Sequence, residues 1–264
     1  MVFVAEITDH LQVALHICHF RDTIASYREV IKDASKKLDL KGAAWLAGFP
    51  VGNTVVKLHR DAEGRTSSDD FLGPSIDTGF RLSKHATPRK FVLSLETAFM
   101  LLASASPEGV DIPKVFLEQG DELKGVLGGR PYPRLWITVQ YDNEDEFRKL
   151  EEELLEAPPM VDDRKLRDYC KLFIREYGTP LFMPFIVGDT IFGEPPHGYE
   201  EQYAEVCALW DVHQIGHYLR HPPKSGGKSS GARELEQQIA QIGKSGNRVA
   251  RKTKRNAQSK TGQR

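Results

Sequence analysis

The chain has 264 residues, enough for one ordinary domain with extensions or for two small ones. Its hydrophobic share of 40% and charged share of 28% are those of a soluble globular protein, and no run nears the roughly 18 unbroken apolar residues of a membrane span. The net charge of −1 hides an asymmetry: from His221 onward eleven Lys/Arg face Glu234 and Glu236, a balance of +9 that leaves −10 for the rest.

The opening "MVFVAEITDH" has no basic n-region, long apolar run or cleavage site, so it does not read as a signal peptide. Cys18, Cys170 and Cys207 are far apart and form no metal or redox spacing. They read as buried thiols in a reducing compartment, and a cytoplasmic location is expected.

In chain order, "VFVAEI" at 2–7 is rich in β-formers and predicts a strand. From Leu11 to Lys37, apolar residues at three- and four-residue spacing (Leu11, Ala14, Leu15, Cys18) predict one or two amphipathic helices. "KGAAWLAGFP" predicts a strand stopped by proline, "VGN" a turn, and "DAEGRTSSDD" a polar loop. After Gly73-Pro74, "SIDTGFRLSKHA" predicts a helix, with Gly79 inside it at a cost of about 1 kcal/mol relative to Ala. "KFVLS" reads as a strand and "LETAFMLLASA" as a helix. "VFLEQGDELKGVLGGRPYPRLWITV" reads as two strands around a Gly-rich turn. Strands alternating with helices argue for an α/β or α+β sandwich with helices on one face of a sheet.

After Gln140 the character changes. "NEDEFRKLEEELLEA" is a charged helical segment, "VDDRKLRDYCKLFIREYG" a second, and "YEEQYAEVCALWDVHQIGHYLRH" a third. Between the last two lies an apolar, proline-interrupted stretch that should pack against the body. From Pro222 onward Gly, Ser, Lys, Arg and Gln dominate, which predicts a disordered tail, or one helical only from about Ala232 to Ile242. The expected division is 1–140, a helical extension 141–221 and a basic tail 222–264.

"DDFLGPSIDTGFRLSKHATPRKFVLS", Asp69 to Ser94, together with "ELKGV" and "PYPRLWIT", resembles the second half of a class III nucleotidyl (adenylate/guanylate) cyclase homology domain. In that family a base-reading residue precedes an aromatic-Gly-Pro turn. An Asn follows, then an Arg four residues on, then a strand ending in Ser, and later a Lys-Gly turn. The resemblance covers roughly residues 2–139. It implies an α+β fold, a ferredoxin-like cyclase-type sandwich with helices on one face of a partial sheet.

The family's reaction drives a ribose 3′-hydroxyl onto the α-phosphate of a nucleoside triphosphate and expels pyrophosphate, so positioning and charge stabilisation carry the catalysis. By the resemblance, Asp70 falls at the base-reading site, Asp77 at the ribose-orienting Asn, Arg81 at the transition-state Arg and Lys124 at the phosphate-binding Lys. Asp77 departs from the family: an anion beside a polyphosphate repels it unless a cation neutralises it. The resemblance also implies Mg2+ or Mn2+ in a complete enzyme, held by two carboxylates that have no counterpart here. The best alignment makes "VFVAEI" the second arm of the metal hairpin, so the cyclase domain is expected to lack its first two strands. Sites of this family form between two chains, so a homodimer or a complementary cyclase half is the expected partner. Two functions follow: a cyclase-like domain for intracellular signalling, inactive alone, or a non-catalytic nucleotide-binding or dimerisation module.

Each residue also has a plainer reading. Asp70 sits in a polar stretch beside Asp69; Asp77 suits a helix N-terminus; Arg81 suits a surface ion pair; Lys124 suits a turn. His213, His217 and His221 share one helix face, but no Glu lies within "HQIGH" and no second cluster supplies ligands. Gly128-Gly129 without a following helix reads as a β-turn. The basic tail offers phosphate contacts but no aromatics for stacking, so a nucleic-acid function is not favoured.

Overall fold

A computed structural model describes residues 1–34, 38–60, 66–104, 111–139, 150 and 162–220. Residues Met1–Tyr203 form one compact unit and Ala204–Arg264 a second. Among the described residues the chain is mixed α+β, and no helix is long and apolar enough to cross a membrane.

The first helix, α1, runs Leu11–Ala34 as one piece. Its start is fixed locally: Asp9 Oδ1 accepts from the Leu11 amide at 2.7 Å, and Thr8 and Gln12 exchange two hydrogen bonds of 3.0 Å. Val13, Ala14, Ile17, Cys18 and Ile24 form its buried face. Arg28 is buried beside them, and its charge is met by Asp39, with the Pro88 carbonyl accepting at 3.3 Å.

The main sheet has the order β1-β4-β6-β5. Strand β1 (Ala43–Ala44) runs parallel to β4 (Lys90–Leu93); β6 (Arg134–Thr138) lies antiparallel to β4 and to β5 (Val115–Glu118). Phe91, Leu93, Leu135, Ile137 and Val115 alternate onto one face and are almost wholly buried. Helix α3 (Leu95–Ala103) follows β4 at once, capped by the Ser94 hydroxyl, which accepts from the Thr97 amide at 3.3 Å. It is buried nearly all round, and α4 (Asp163–Tyr177) packs on it with Leu166, Cys170 and Ile174. Asp162 caps α4 by accepting from the Arg164 and Lys165 amides, each at 3.0 Å, and Gly178 ends it. The proline-interrupted stretch that follows packs on the body, as expected: Leu181 and Phe192 are core residues. Helix α5 spans Tyr199–Arg220.

Three expectations need correction. "VFVAEI" is not a strand: residues 1–7 have no helix or strand, no strand among the described residues pairs with them, and Phe3 instead sets its ring edge against Phe20 at 5.4 Å. The "KGAAWLAGFP" strand shrinks to two residues, because only Ala43 and Ala44 meet β4 before the chain turns away. The polar stretch before Phe71 is not all loop: β2 (Thr54–Arg60) and β3 (Thr66–Leu72) form a separate antiparallel ribbon. Pairing of the backbones, not apolar patterning, makes β3 a strand, which is why its sequence did not announce it.

The helix expected after Pro74 is α2 (Pro74–Leu82), continued by a 3-10 turn over Ser83–His85. The charged segment 143–157, apart from Leu150, and the tail beyond Arg220 lie outside the described residues. So does His221; His213 and His217 fall in α5.

Candidate functional site

Helix α2 is held at its N-terminus from outside. The Asn53 side chain, buried at the foot of the ribbon, accepts from the Ser75 amide at 3.2 Å and donates to the Gly48 carbonyl at 2.8 Å and to Ser75 Oγ at 3.2 Å. It satisfies an amide that the helix itself leaves unpaired, and Pro74 at the first position has none to satisfy. One turn on, Asp77 Oδ2 accepts from Arg81 Nε at 2.7 Å, with the two side chains 57% and 34% exposed. Acid in the first turn and base in the last also oppose the helix dipole in the favourable sense.

Facing α2 is the turn after β5. Leu123 and Val126 are buried anchors, tied by a 2.8 Å bond from the Val126 amide to the Leu123 carbonyl. Between and after them the backbone is left-handed at Gly125 (φ 77°), Leu127 (φ 53°), Gly128 (φ 59°) and Gly129 (φ 89°). Three glycines make that run of positive φ affordable. Gly128-Gly129 forms the β-turn expected: the Arg130 amide donates to the Leu127 carbonyl at 3.2 Å, with both central glycines at positive φ. Lys124 is exposed in the same turn.

The two elements, with the end of α4, enclose a cleft of about 490 Å3. Pro74, Asp77 and Thr78 form one wall, Gly125 to Gly128 a second, and Tyr177, Thr179 and Pro180 a third. Thr78 is only 5% exposed, and its Oγ1 has no hydrogen-bond partner. A second cleft of about 580 Å3 adjoins on the far side of Tyr177, between Arg130-Pro131 and the Tyr169, Leu172, Phe173, Glu176 and Tyr177 face of α4. Arg130 Cζ lies 4.2 Å from the centroid of the Tyr177 ring.

Of the four expected site residues, Asp77 lines the first cleft, Arg81 is joined to it by the ion pair, and Lys124 adjoins Gly125 in the facing turn. Asp70 stands apart on β3, exposed, with its Oδ1 accepting from the Phe71 amide at 2.9 Å. Sequence reading missed Thr78, Tyr177 and Thr179. Tyr169, Phe173 and Tyr177 do recur at four-residue spacing, a signal that was available.

The cleft residues do not fit a pair of metal ions. Asp77 is the one carboxylate in its described lining, and Arg81 already neutralises it. Elsewhere Asp9, His10 and Asp189 bring ligand atoms within 4.8 Å of one another. Asp189 is spent, however: its oxygens accept from the His10 amide and Nδ1 and from the Ile191 and Phe192 amides, at 2.7–2.9 Å. Those donors hold its carboxyl below the usual range although burial pushes the other way.

Cys18 and Cys170 are buried free thiols as expected, whereas Cys207 is only half-buried; burial, aided by the nearby Glu96, pushes the Cys170 thiol up to about 12. No family model matches the chain, and no curated protein or solved structure is significantly similar to it.

Proposed function

We propose that this chain is a nucleotidyl cyclase-like domain that holds a nucleoside triphosphate in the cleft between α2 and the Lys124 turn. One observation carries the reading: the first turn of α2 and a glycine turn next to Lys124 line one cleft of nucleotide size. On this reading the main sheet is a partial ferredoxin-like cyclase sandwich. Backbone amides of the Gly125–Gly128 turn and Lys124 take the phosphates, and Arg81 faces charge that develops on the α-phosphorus. Formation of a 3′,5′-cyclic nucleotide then needs Mg2+ or Mn2+ on carboxylates from a second chain, either another copy or a complementary cyclase half. No step through those ions is assigned to the residues present.

A second reading is a nucleotide-binding module without turnover. The Asp77–Arg81 ion pair favours it, because it occupies the arginine that catalysis requires.

The test is equilibrium binding of ATP, GTP, CTP and UTP to the full chain with Mn2+, alongside pyrophosphate release. Binding of at least one triphosphate, weakened about tenfold by Lys124→Ala, is expected; tenfold is the loss of ~1.4 kcal/mol, the size of one charge-assisted contact. Pyrophosphate release abolished by Arg81→Ala assigns the cyclase, and binding without release assigns the module. Silence with all four triphosphates sinks both.

A further inference from the structure

We propose that the second cleft, walled by the Tyr169–Phe173–Tyr177 face of α4, holds the base of the nucleotide whose phosphates occupy the first; this rests on the triphosphate reading of that first cleft.

Helix α4 has two faces with different fates. Leu166, Cys170 and Ile174 are spent in the core. Tyr169, Phe173 and Tyr177 follow one another along the adjoining stripe, partly packed on the core at Phe173 and Tyr177, with ring centroids 5.7 and 4.4 Å apart. Leu172 beside them is 65% exposed and Tyr169 is 38% exposed. A row of rings that ends in the exposed Tyr169 and lines a cleft offers a stacking platform, and stacking accepts any nucleobase because every base has a π-face. The two clefts meet at Tyr177, which lines both. Arg130 sits over that ring with its cation at the junction, where a sugar-phosphate link would cross from base to phosphates. Asp70, which the family resemblance would make the base reader, lines neither cleft. The base therefore belongs to a helix outside the stretch that resembles cyclases.

Calorimetry on the full chain compares inorganic triphosphate with ATP, each against the unmodified protein and a Tyr169→Ala, Leu172→Ala double variant. Both residues are surface groups, so the variant should melt as the parent does. ATP should bind about tenfold more tightly than inorganic triphosphate, and the double variant should erase that gain while leaving triphosphate affinity unchanged. Triphosphate bound with no advantage for ATP overturns this inference and spares the cleft. So does a variant that changes only the concentration dependence of molecular mass, which would make the face a contact between copies. No affinity for triphosphate at all sinks the cleft and the base site together.

Discussion

His10 Nδ1 lies 2.7 Å from Asp189 Oδ2, closing a contact across 179 positions of sequence. It pins the loop after α4 to the start of α1, and Phe192, held by the same carboxylate, seats its ring against Phe99 of α3 at 5.6 Å. Asp189→Asn removes the charge and leaves at least one amide poorly paired. Loss of a charge-assisted buried network should cost about 3 kcal/mol in urea melts at pH 7. Because the native carboxyl titrates below the unfolded one, its stabilisation is present above about pH 4 and fades as pH falls further. The variant should therefore lose less stability than the parent between pH 5 and 2. An unchanged acid limb would contradict the assignment.

Glu96 presents the opposite sign. Burial in the first turn of α3 raises its pKa to about 7, against the pull of its own amide, the Ser94 hydroxyl and the Phe182 amide. The folded state then holds a proton that the unfolded chain releases above about pH 4.3, so stability falls from there until about pH 7 and then levels. Glu96→Gln keeps shape and removes the titration. It should gain up to about 3 kcal/mol at pH 8 and show little of the decline between pH 5 and 7, read from melts across that range. A steep decline retained by the variant would place the proton elsewhere.

Gly79 tests packing against propensity. Alanine in a helix interior is worth about 1 kcal/mol over glycine. A Cβ on Gly79, however, would enter the van der Waals envelope of the Trp45 ring, which also lies against Phe80 with centroids 5.3 Å apart. Packing should win: Gly79→Ala is expected to lower stability by about 2 kcal/mol, the usual cost of overfilling a site. A higher melting temperature would show that Trp45 moves aside without penalty.

Asp77 separates binding from stability. Its pair with Arg81 is largely exposed, so Asp77→Asn should change the unfolding free energy by no more than about 0.5 kcal/mol. Triphosphate affinity should rise severalfold, since the change removes an anion from the cleft and frees the guanidinium. Weaker binding in the variant would mean that Asp77 itself contacts the ligand.

Local signals carried much of the fold. The Asp162 cap, the Leu166-Cys170-Ile174 spacing and Gly178 delimit α4, and the apolar "KFVLS" gives β4. These features act within a turn or two of backbone, so they are readable from neighbours in sequence. The polar strand β3 and the strandless "VFVAEI" were misread for one reason. Whether an extended segment becomes a strand depends on a partner backbone, and that partner lies elsewhere in the chain.

The sequence by itself placed helices at α2 to α5, and acid and base four residues apart on α2, because each follows from spacing along one segment. Only the tertiary structure decided that Thr78, Gly125 and Thr179 enclose one cleft while Asp70 stays outside it, and that His10 meets Asp189. Those relationships arise from the burial of α1 and α3 against one sheet and of α4 against α3. Nothing within any single segment encodes which of its surfaces another will cover.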